Sequence, residues 1–187
     1  MTTSTVHDTL TGDYHIDPTH STIGFVARHA MVTKVRGTFD TFEGRAHIDD
    51  DPTKSTVELT IQAASINTRN EQRDAHLRSN DFVDMDNYPQ IRFVSTAVEQ
   101  VSDSRALVTG DLTIKGVSRP VTVEFEFTGA ATDPYGNLRA GFEGSTTINR
   151  KDWGVNWNAA LEAGGMLVSE KVTLEFDISA IKVPANG

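Results

Sequence analysis

The stretch that decides the fold is Val121-Thr122-Val123-Glu124-Phe125-Glu126-Phe127-Thr128-Gly129. Every second residue of this stretch is apolar up to Phe127, and the residues between them carry hydroxyl or carboxylate groups. Because successive side chains of a strand point to opposite faces, this alternation predicts a strand with one apolar and one polar face. Such a strand needs partners with which to bury its apolar face.

The same alternation recurs along the chain, before and after that strand. It is clear in residues 55–64, 90–101, 138–149 and 169–182, and we interpret residues 34–49 as one further long strand that curves at Gly37 and Gly44. A single helix is predicted near residues 68–79, where Thr68 and Glu71 have the spacing of a capping box. Eight or nine amphipathic strands without a strand–helix–strand rhythm indicate an all-β, antiparallel fold.

Strands of this kind bury their apolar faces either in a two-sheet sandwich or in a closed barrel. Several of the predicted strands reach ten residues or more, roughly 33 Å at ~3.3 Å per residue. This exceeds the usual strand of about five or six residues. We therefore favour an eight-stranded β-barrel with one short helix and an elongated apolar interior that has room for one small elongated ligand.

The charge balance limits the partners of the protein. Its 17 basic and 26 acidic residues give a formal net charge of −9, which argues against duplex nucleic acid or an anionic membrane surface as a primary partner. No cysteine is present, so neither disulfides nor thiolate metal sites are available. Stable membrane insertion is not expected, because no segment approaches the ~20 apolar residues of a spanning helix.

The domain organisation is simple. At 187 residues we predict one domain over residues 12–183, with a flexible tail over residues 1–11 and a short tail over residues 184–187. The first eleven residues contain no Lys or Arg and no apolar run, so they do not have the pattern of a secretory signal. For a full gene product this predicts a cytoplasmic location.

A series of short motifs follows the predicted strands in a fixed order. They are Ile16-Asp17-Pro18-Thr19-His20-Ser21, Gly37-Thr38-Phe39, Ser65-Ile66-Asn67-Thr68, Arg73-Asp74-Ala75-His76-Leu77-Arg78-Ser79-Asn80-Asp81-Phe82, Gly110-Asp111-Leu112-Thr113-Ile114-Lys115-Gly116-Val117 and Ile148-Asn149-Arg150-Lys151-Asp152-Trp153-Gly154. Each motif alone is weak, but their order and spacing resemble those of the YceI-like, polyisoprenoid-binding family over roughly residues 14–182.

That resemblance implies a lipocalin-like antiparallel β-barrel that binds, stores or transports an isoprenoid lipid without acting as an enzyme. The ligand would be an isoprenoid quinone or a polyprenyl compound, and no cofactor is predicted. The candidate ligand-binding residues are Phe25, His29, Phe39, Phe93, Ile114, Phe125, Phe127, Phe142, Trp153, Met166 and Phe176. The alternative is that the apolar residues among them pack against one another in a dry core, as most apolar strand faces do.

Two segments are candidates for the mouth or lid of the barrel, residues 68–82 and 151–166. Trp153, Trp157, Met166 and Leu167 are candidates for lining this portal, although they could equally anchor the loop on the end of the barrel. Arg73 and His29 are candidates for bonding an oxygen of a lipid head group.

The polar residues also allow a second function, that of an enzyme acting on a small amphipathic molecule at the barrel mouth. This hypothesis uses Asp17, His20, His29, Arg73 and Asp74, although no G-x-S-x-G nucleophile motif occurs. The six histidines show neither an H-x-H nor an H-E-x-x-H pattern, so no metal site is predicted. A third interpretation is an interaction module whose cavity is incidental, and a homodimer is left open.

Overall fold

Strands make up most of the protein in the computed structural model, which describes residues 10–162 and 164–184. They are β1 (Gly12–Ile16), β2 (Thr22–His29), β3 (Thr33–Phe39), β4 (Phe42–Ile48), β5 (Thr56–Gln62), β6 (Ile66–Asn67), β7 (Gln90–Gln100), β8 (Arg105–Ile114), β9 (Val117–Thr132), β10 (Leu138–Asn149) and β11 (Lys171–Lys182). A helix, α1 (Glu71–Arg78), lies between β6 and β7. The predicted tails fall largely at residues 1–9 and 185–187, which lie outside the described residues.

Eight strands close into a ring. Their order is β1, β4, β5, β7, β8, β9, β10 and β11, and β11 pairs back onto β1 with Tyr14 opposite Lys182 and Ile16 opposite Ala180. Neighbouring strands in this ring are antiparallel. The prediction of an all-β fold with an eight-stranded antiparallel barrel and a short helix is confirmed.

Strand β11 has two partners along the same edge. Its C-terminal part pairs with β1, whereas its N-terminal part pairs with β2, where Leu174 lies opposite Phe25. The sheet then continues from β2 to β3 and from β3 to the two-residue strand β6. This branch brings α1, which follows β6 in the chain, to one end of the barrel.

The two ends of the barrel differ. We call the end that carries β6, α1 and the loop of residues 153–168 the helix end. At the hairpin end, residues 101–104 connect β7 to β8, and residues 133–137 connect β9 to β10. Chain direction alternates around the ring, so the N-terminal halves of β7, β9 and β11 lie toward the helix end.

The stretch 121–129 behaves as its alternation predicts. Val121 and Val123 are buried, and Glu124 and Glu126 are exposed on the outer face. Phe125 and Phe127 are half-buried, because they border an internal space rather than a solid core. Full burial of a side chain of the size of valine or phenylalanine contributes about 1.5–3 kcal/mol to folding, so the repeated apolar faces hold the ring together.

The prediction of one long strand over residues 34–49 is wrong. Residues 34–49 form two strands, β3 and β4, separated by a break at Asp40 and Thr41. Neighbouring segments bond this break: the Asp40 amide donates to the Ser65 carbonyl, and the Gln62 amide donates to the Thr41 carbonyl. The chain changes sheet partners there, because β3 pairs with β2 and β6 whereas β4 pairs with β1 and β5. Both Phe39 and Phe42, on either side of the break, are buried.

The predicted capping box is also wrong. The N-cap of α1 is Asn70, whose side chain accepts a hydrogen bond from the Arg73 amide at 3.0 Å. Thr68 instead donates both its amide and its hydroxyl to the buried carboxylate of Asp74. The helix therefore begins two residues later than expected, and Asp74 ties its first turn to the end of β6.

Candidate functional site

The interior of the barrel contains a continuous apolar cavity of about 440 Å³. Its wall is built from inward-facing residues of the strands, including Ile23, Leu59, Ile61, Ile91, Phe93, Val108, Leu112, Val121, Val123, Phe125, Phe142, Leu174 and Phe176. Leu77 of α1 and Phe82 and Val83 of the segment after it line the cavity at the helix end. The space therefore runs along the barrel rather than lying beside it.

Inward-facing glycines keep this space open. Phe25 lies over Gly37 of the neighbouring strand, and the atoms nearest to an added Cβ at Gly37 would be those of the Phe25 ring. A Cβ at Gly144 would lie 2.7 Å from Cδ1 of Phe125, which is well inside normal contact distance. Because each glycine leaves room for a ring beside it, the rings lie flat along the wall instead of projecting into the centre.

Pairs of rings line successive levels of the cavity. Phe25 and Phe39 have ring centroids 5.6 Å apart, and Phe125 and Phe176 have centroids 5.7 Å apart. A third pair of rings, Phe127 and Phe142, lies toward the hairpin end at 5.6 Å. All three pairs are tilted, within the 4.5–7 Å range in which aromatic rings attract one another.

The cavity opens at the hairpin end. The exposed residues among those that line it are Thr56, Gln100, Asp103, Ser104 and Arg105. They come from the start of β5 and from the β7–β8 turn with its flanks. The rim of the cavity at this end is therefore polar, whereas its wall is apolar.

The helix end is closed by packed side chains. His76, Phe82 and Trp157 form a ring cluster with centroid distances of 4.5–5.4 Å. Trp153 is buried, and its indole Nε1 donates to the Leu112 carbonyl at 2.8 Å. These contacts anchor the loop of residues 153–168 on the barrel, so its aromatic residues act as a plug.

Arg150 is a buried basic residue at this closed end. It follows β10 directly, lines the cavity and is 6% exposed. Its guanidinium donates to the backbone carbonyls of Val155, Val168 and Ser169. Burial lowers the pKa of Arg150 below its ordinary value. The residue lies within a quoted family motif, but no periodicity in the sequence signals that it is buried, and the sequence interpretation missed it.

Eight of the eleven predicted ligand-binding residues line the cavity, namely Phe25, Phe39, Phe93, Ile114, Phe125, Phe127, Phe142 and Phe176. The other three do not. His29 is exposed and pairs with Val168 at the end of β2, and Met166 is 39% exposed and pairs with Ala160. Trp153 packs behind the wall through its bond to Leu112. Trp153 and Met166, which were predicted to lie at the portal, therefore lie at the helix end and outside the lining of the cavity.

The five polar residues of the enzyme hypothesis do not form one site. Asp17 and His20 bond each other after β1, whereas Arg73 and Asp74 both bond Thr68 at the start of α1. None of the five, including His29, lines the cavity. Arg73 and His29 are thus not positioned to contact a molecule inside it.

Asp17 belongs to an ion network outside the cavity wall. Arg139 Nη1 donates to Asp17 at 2.7 Å, and Arg139 Nε donates to Asp133 at 2.9 Å. The Arg139 guanidinium holds the pKa of Asp17 well below its usual range. Backbone donation from Asn137, together with Arg139, lowers the pKa of Asp133 to about 2. The network joins the β1–β2 connection to the start of β10 and the turn before it.

This network predicts acid sensitivity. A carboxylate whose folded pKa is depressed stabilises the fold above its unfolded pKa, and that stabilisation is lost as pH falls through the folded pKa. Asp17→Asn should cost about 1.5–3 kcal/mol of unfolding free energy at neutral pH. It should also flatten the decline of stability below about pH 4. Urea unfolding across this pH range checks both effects, with the exposed Asp86→Asn as control. An unchanged acid profile in Asp17→Asn would contradict the prediction.

The family of the chain can now be stated. A family model described as the YceI-like domain matches residues 14–180. The chain belongs to the YceI-like domain family. A UPF0312 protein of Staphylococcus aureus strain MSSA476 is 39% identical over 165 residues, which cover 87% of this chain and 94% of that protein. A UPF0312 protein of Pseudomonas syringae pv. tomato is 38% identical over 149 residues, 78% of each chain.

Solved structures resemble the barrel of this YceI-like domain. Burkholderia cenocepacia BcnA matches with a TM-score of 0.77 at 24% identity, over 88% of this chain and 98% of that one. The Campylobacter jejuni YCEI protein matches with a TM-score of 0.72 at 26% identity, over 84% and 90%. A polyisoprenoid binding domain from Saccharophagus degradans matches with a TM-score of 0.70 at 15% identity, over 91% and 98%. At such identities the first and third show a shared fold.

Two kinds of feature are absent from the described residues. No group of three or more His, Cys, Asp or Glu side chains is arranged to hold a metal ion within residues 10–162 and 164–184. In the same part of the chain, no helix has the length and apolar character needed to cross a bilayer.

Proposed function

We propose that this YceI-like domain binds an isoprenoid lipid inside its barrel, for storage or transport, without converting it chemically. The continuous apolar cavity, walled by eight of the residues expected to contact such a lipid, is the observation that carries the proposal. The similarity in fold to a domain named as polyisoprenoid binding supports it. An isoprenoid quinone is our preferred ligand, because it combines an apolar chain with a small polar head.

The size of the cavity fits this class of ligand. A volume of about 440 Å³ lies within the 300–1,000 Å³ typical of sites for drug-sized molecules. A short isoprenoid chain fits wholly inside, and the remainder of a longer chain would leave through the hairpin end. The eight cavity-lining residues are the proposed contacts, and a quinone or polyprenyl chain would lie alongside their paired rings.

Burial of the chain supplies enough free energy. Each methylene group moved from water into the cavity contributes about 0.8 kcal/mol. About ten such groups give roughly 8 kcal/mol, which corresponds to micromolar affinity before ordering costs are subtracted. The ligand needs no strong polar contact for binding, although such a contact would fix its orientation.

The enzyme hypothesis has less support. The family and its polyisoprenoid-binding neighbours suggest a binding protein rather than an enzyme. The residues that the hypothesis requires bond Arg139 and Thr68 in two separate networks. A cytoplasmic location and a homodimer stay predictions.

Native mass spectrometry of protein purified without detergent tests the proposal. We expect one apolar molecule bound per chain. Added short-chain isoprenoid quinone should raise the melting temperature of delipidated protein by about 5–10 °C at a concentration 100 times its Kd. The matched control is the same quinone head without an isoprenoid chain, which should give little shift. Equal shifts with the two compounds, or none with either, would refute a lipid-binding cavity.

A further inference from the structure

Arg150 places a positive charge at the closed end of an otherwise apolar cavity. The residue begins the short 3-10 helix Arg150–Trp153, directly after β10, and its amide donates to the Glu170 carbonyl at 2.9 Å. This position brings the side chain under the loop of residues 153–168. With 6% exposure it is more deeply buried than any other basic residue of the described chain.

The guanidinium uses only part of its donor capacity. Its Nε donates to the Ser169 carbonyl at 2.9 Å, its Nη1 to Val155 at 2.7 Å and its Nη2 to Val168 at 3.3 Å. A guanidinium has five N–H groups. Three are used by these carbonyls, and two remain for another acceptor.

No carboxylate neutralises this charge by direct contact. The ion pairs among the described residues do not include Arg150. Glu170 acts on it only at longer range, because its carboxylate bonds Lys151 Nζ at 2.7 Å. The ring of Phe82, 6.0 Å from Cζ of Arg150, supplies a weak cation–π contact. A buried cation without a counterion is costly, so an oxygen acceptor next to it would be strongly favoured.

We propose that Arg150 is the head-group site of the cavity, where it donates hydrogen bonds to an oxygen of the bound lipid. This inference rests on the proposed function and adds an orientation to it. The polar head lies at the helix end, and the isoprenoid chain extends past the paired phenylalanine rings toward the open hairpin end. The acceptor is a carbonyl oxygen of a quinone or an oxygen of a phosphate head.

The site predicts which ligands depend on Arg150. In Arg150→Met, the affinity for an isoprenoid quinone should fall about tenfold, equivalent to about 1.4 kcal/mol. The affinity for an isoprenoid hydrocarbon of equal length without oxygen should stay within about twofold. A polyprenyl monophosphate forms a further arm: a larger loss for it than for the quinone assigns the site to an anionic head, and a smaller one to a neutral carbonyl.

A second variant separates head-group binding from loop anchoring. Asn158 bonds the backbone of Val168 with both its amide oxygen and its amide nitrogen, so Asn158→Ala loosens the same loop and keeps the arginine. It should affect quinone and hydrocarbon equally. If Arg150→Met also lowers both affinities equally, Arg150 only holds the loop and the inference is wrong. If the wild-type protein binds neither compound, the proposed function itself fails.

An infrared measurement on the wild-type protein decides the question without a variant. A hydrogen bond to a guanidinium weakens a quinone carbonyl and lowers its stretching frequency. We expect one carbonyl band of the bound quinone to be shifted below its position in hydrocarbon solvent. Two unshifted bands would overturn the assignment, even if Arg150→Met does not fold.

Discussion

Gly37→Ala is expected to weaken isoprenoid binding about tenfold. The added methyl group would occupy the position of the Phe25 ring, whose Cζ would lie well inside normal contact distance of it. The ring must therefore swing into the cavity or against Phe39, which lies 5.6 Å away. Overpacking of this kind typically costs about 1–3 kcal/mol of stability. Equilibrium titration with an isoprenoid quinone and urea unfolding measure the two effects.

Two variants make this prediction specific to the cavity. Gly141→Ala also creates a close contact between neighbouring strands, but its methyl group meets the hydroxyl of Thr128, which does not line the cavity, whereas Phe25 does. It should lower stability and leave affinity unchanged. In the double variant Gly37→Ala/Phe25→Leu, the smaller side chain makes room and affinity should recover. Equal affinities of the Gly37→Ala and Gly141→Ala variants would show that Gly37 does not shape the binding space.

Leu174→Trp is expected to abolish binding at micromolar ligand while leaving the lipid-free protein folded. Leu174 lines the cavity and is only half-buried, because its side chain faces open internal space. An indole there would occupy the path of the ligand. In a cavity, the larger side chain finds room, so the unfolding free energy should change by no more than about 1 kcal/mol. In a dry core, the same substitution would cost about 1–3 kcal/mol through overpacking.

The control for this variant is Glu175→Trp on the same strand. Glu175 is exposed and points to the opposite face, so an indole there should leave lipid binding intact. Loss of binding in both variants would mean that the substitutions act through the fold. A Leu174→Trp variant that is destabilised and still binds lipid would show that the interior is a packed core and that the lipid binds elsewhere.

Local alternation was sufficient to predict the barrel wall. Val121 and Val123 are buried and Glu124 is exposed, as the period of two requires. A strand's facing pattern is a local property, so it can be read without knowledge of its neighbours. The extent of burial of Phe125 could not be predicted from alternation, because it depends on whether the opposite wall is close enough to touch the ring.

The break between β3 and β4 at Asp40 and Thr41 could not be predicted in the same way. It contains neither glycine nor proline, and its backbone groups are satisfied by Gln62 and Ser65, about twenty residues away. Because no local signal marks the break after Phe39, the residues on both sides of it looked like one continuous strand. Bonding between segments that are distant in the sequence, rather than local preference, ends β3 there.

The closed end depends even more on distant contacts. Arg150 is buried under the segments that carry Val155, Val168 and Ser169, whose carbonyls accept its hydrogen bonds. Trp153 is buried where the Leu112 carbonyl accepts a hydrogen bond from its indole. A motif shows that these residues are present but not which way they face. The portal was therefore predicted at the helix end, where the structure has packed aromatic side chains.

A crystal structure of the protein purified without detergent tests the central claim most directly. We expect one elongated tube of density along the barrel, beside the rings of Phe125 and Phe176. Its polar end should lie within hydrogen-bond distance of Arg150, and its other end should point toward the hairpin end. An interior filled by side chains, with no density and no space beside Phe125, would contradict lipid binding inside the barrel.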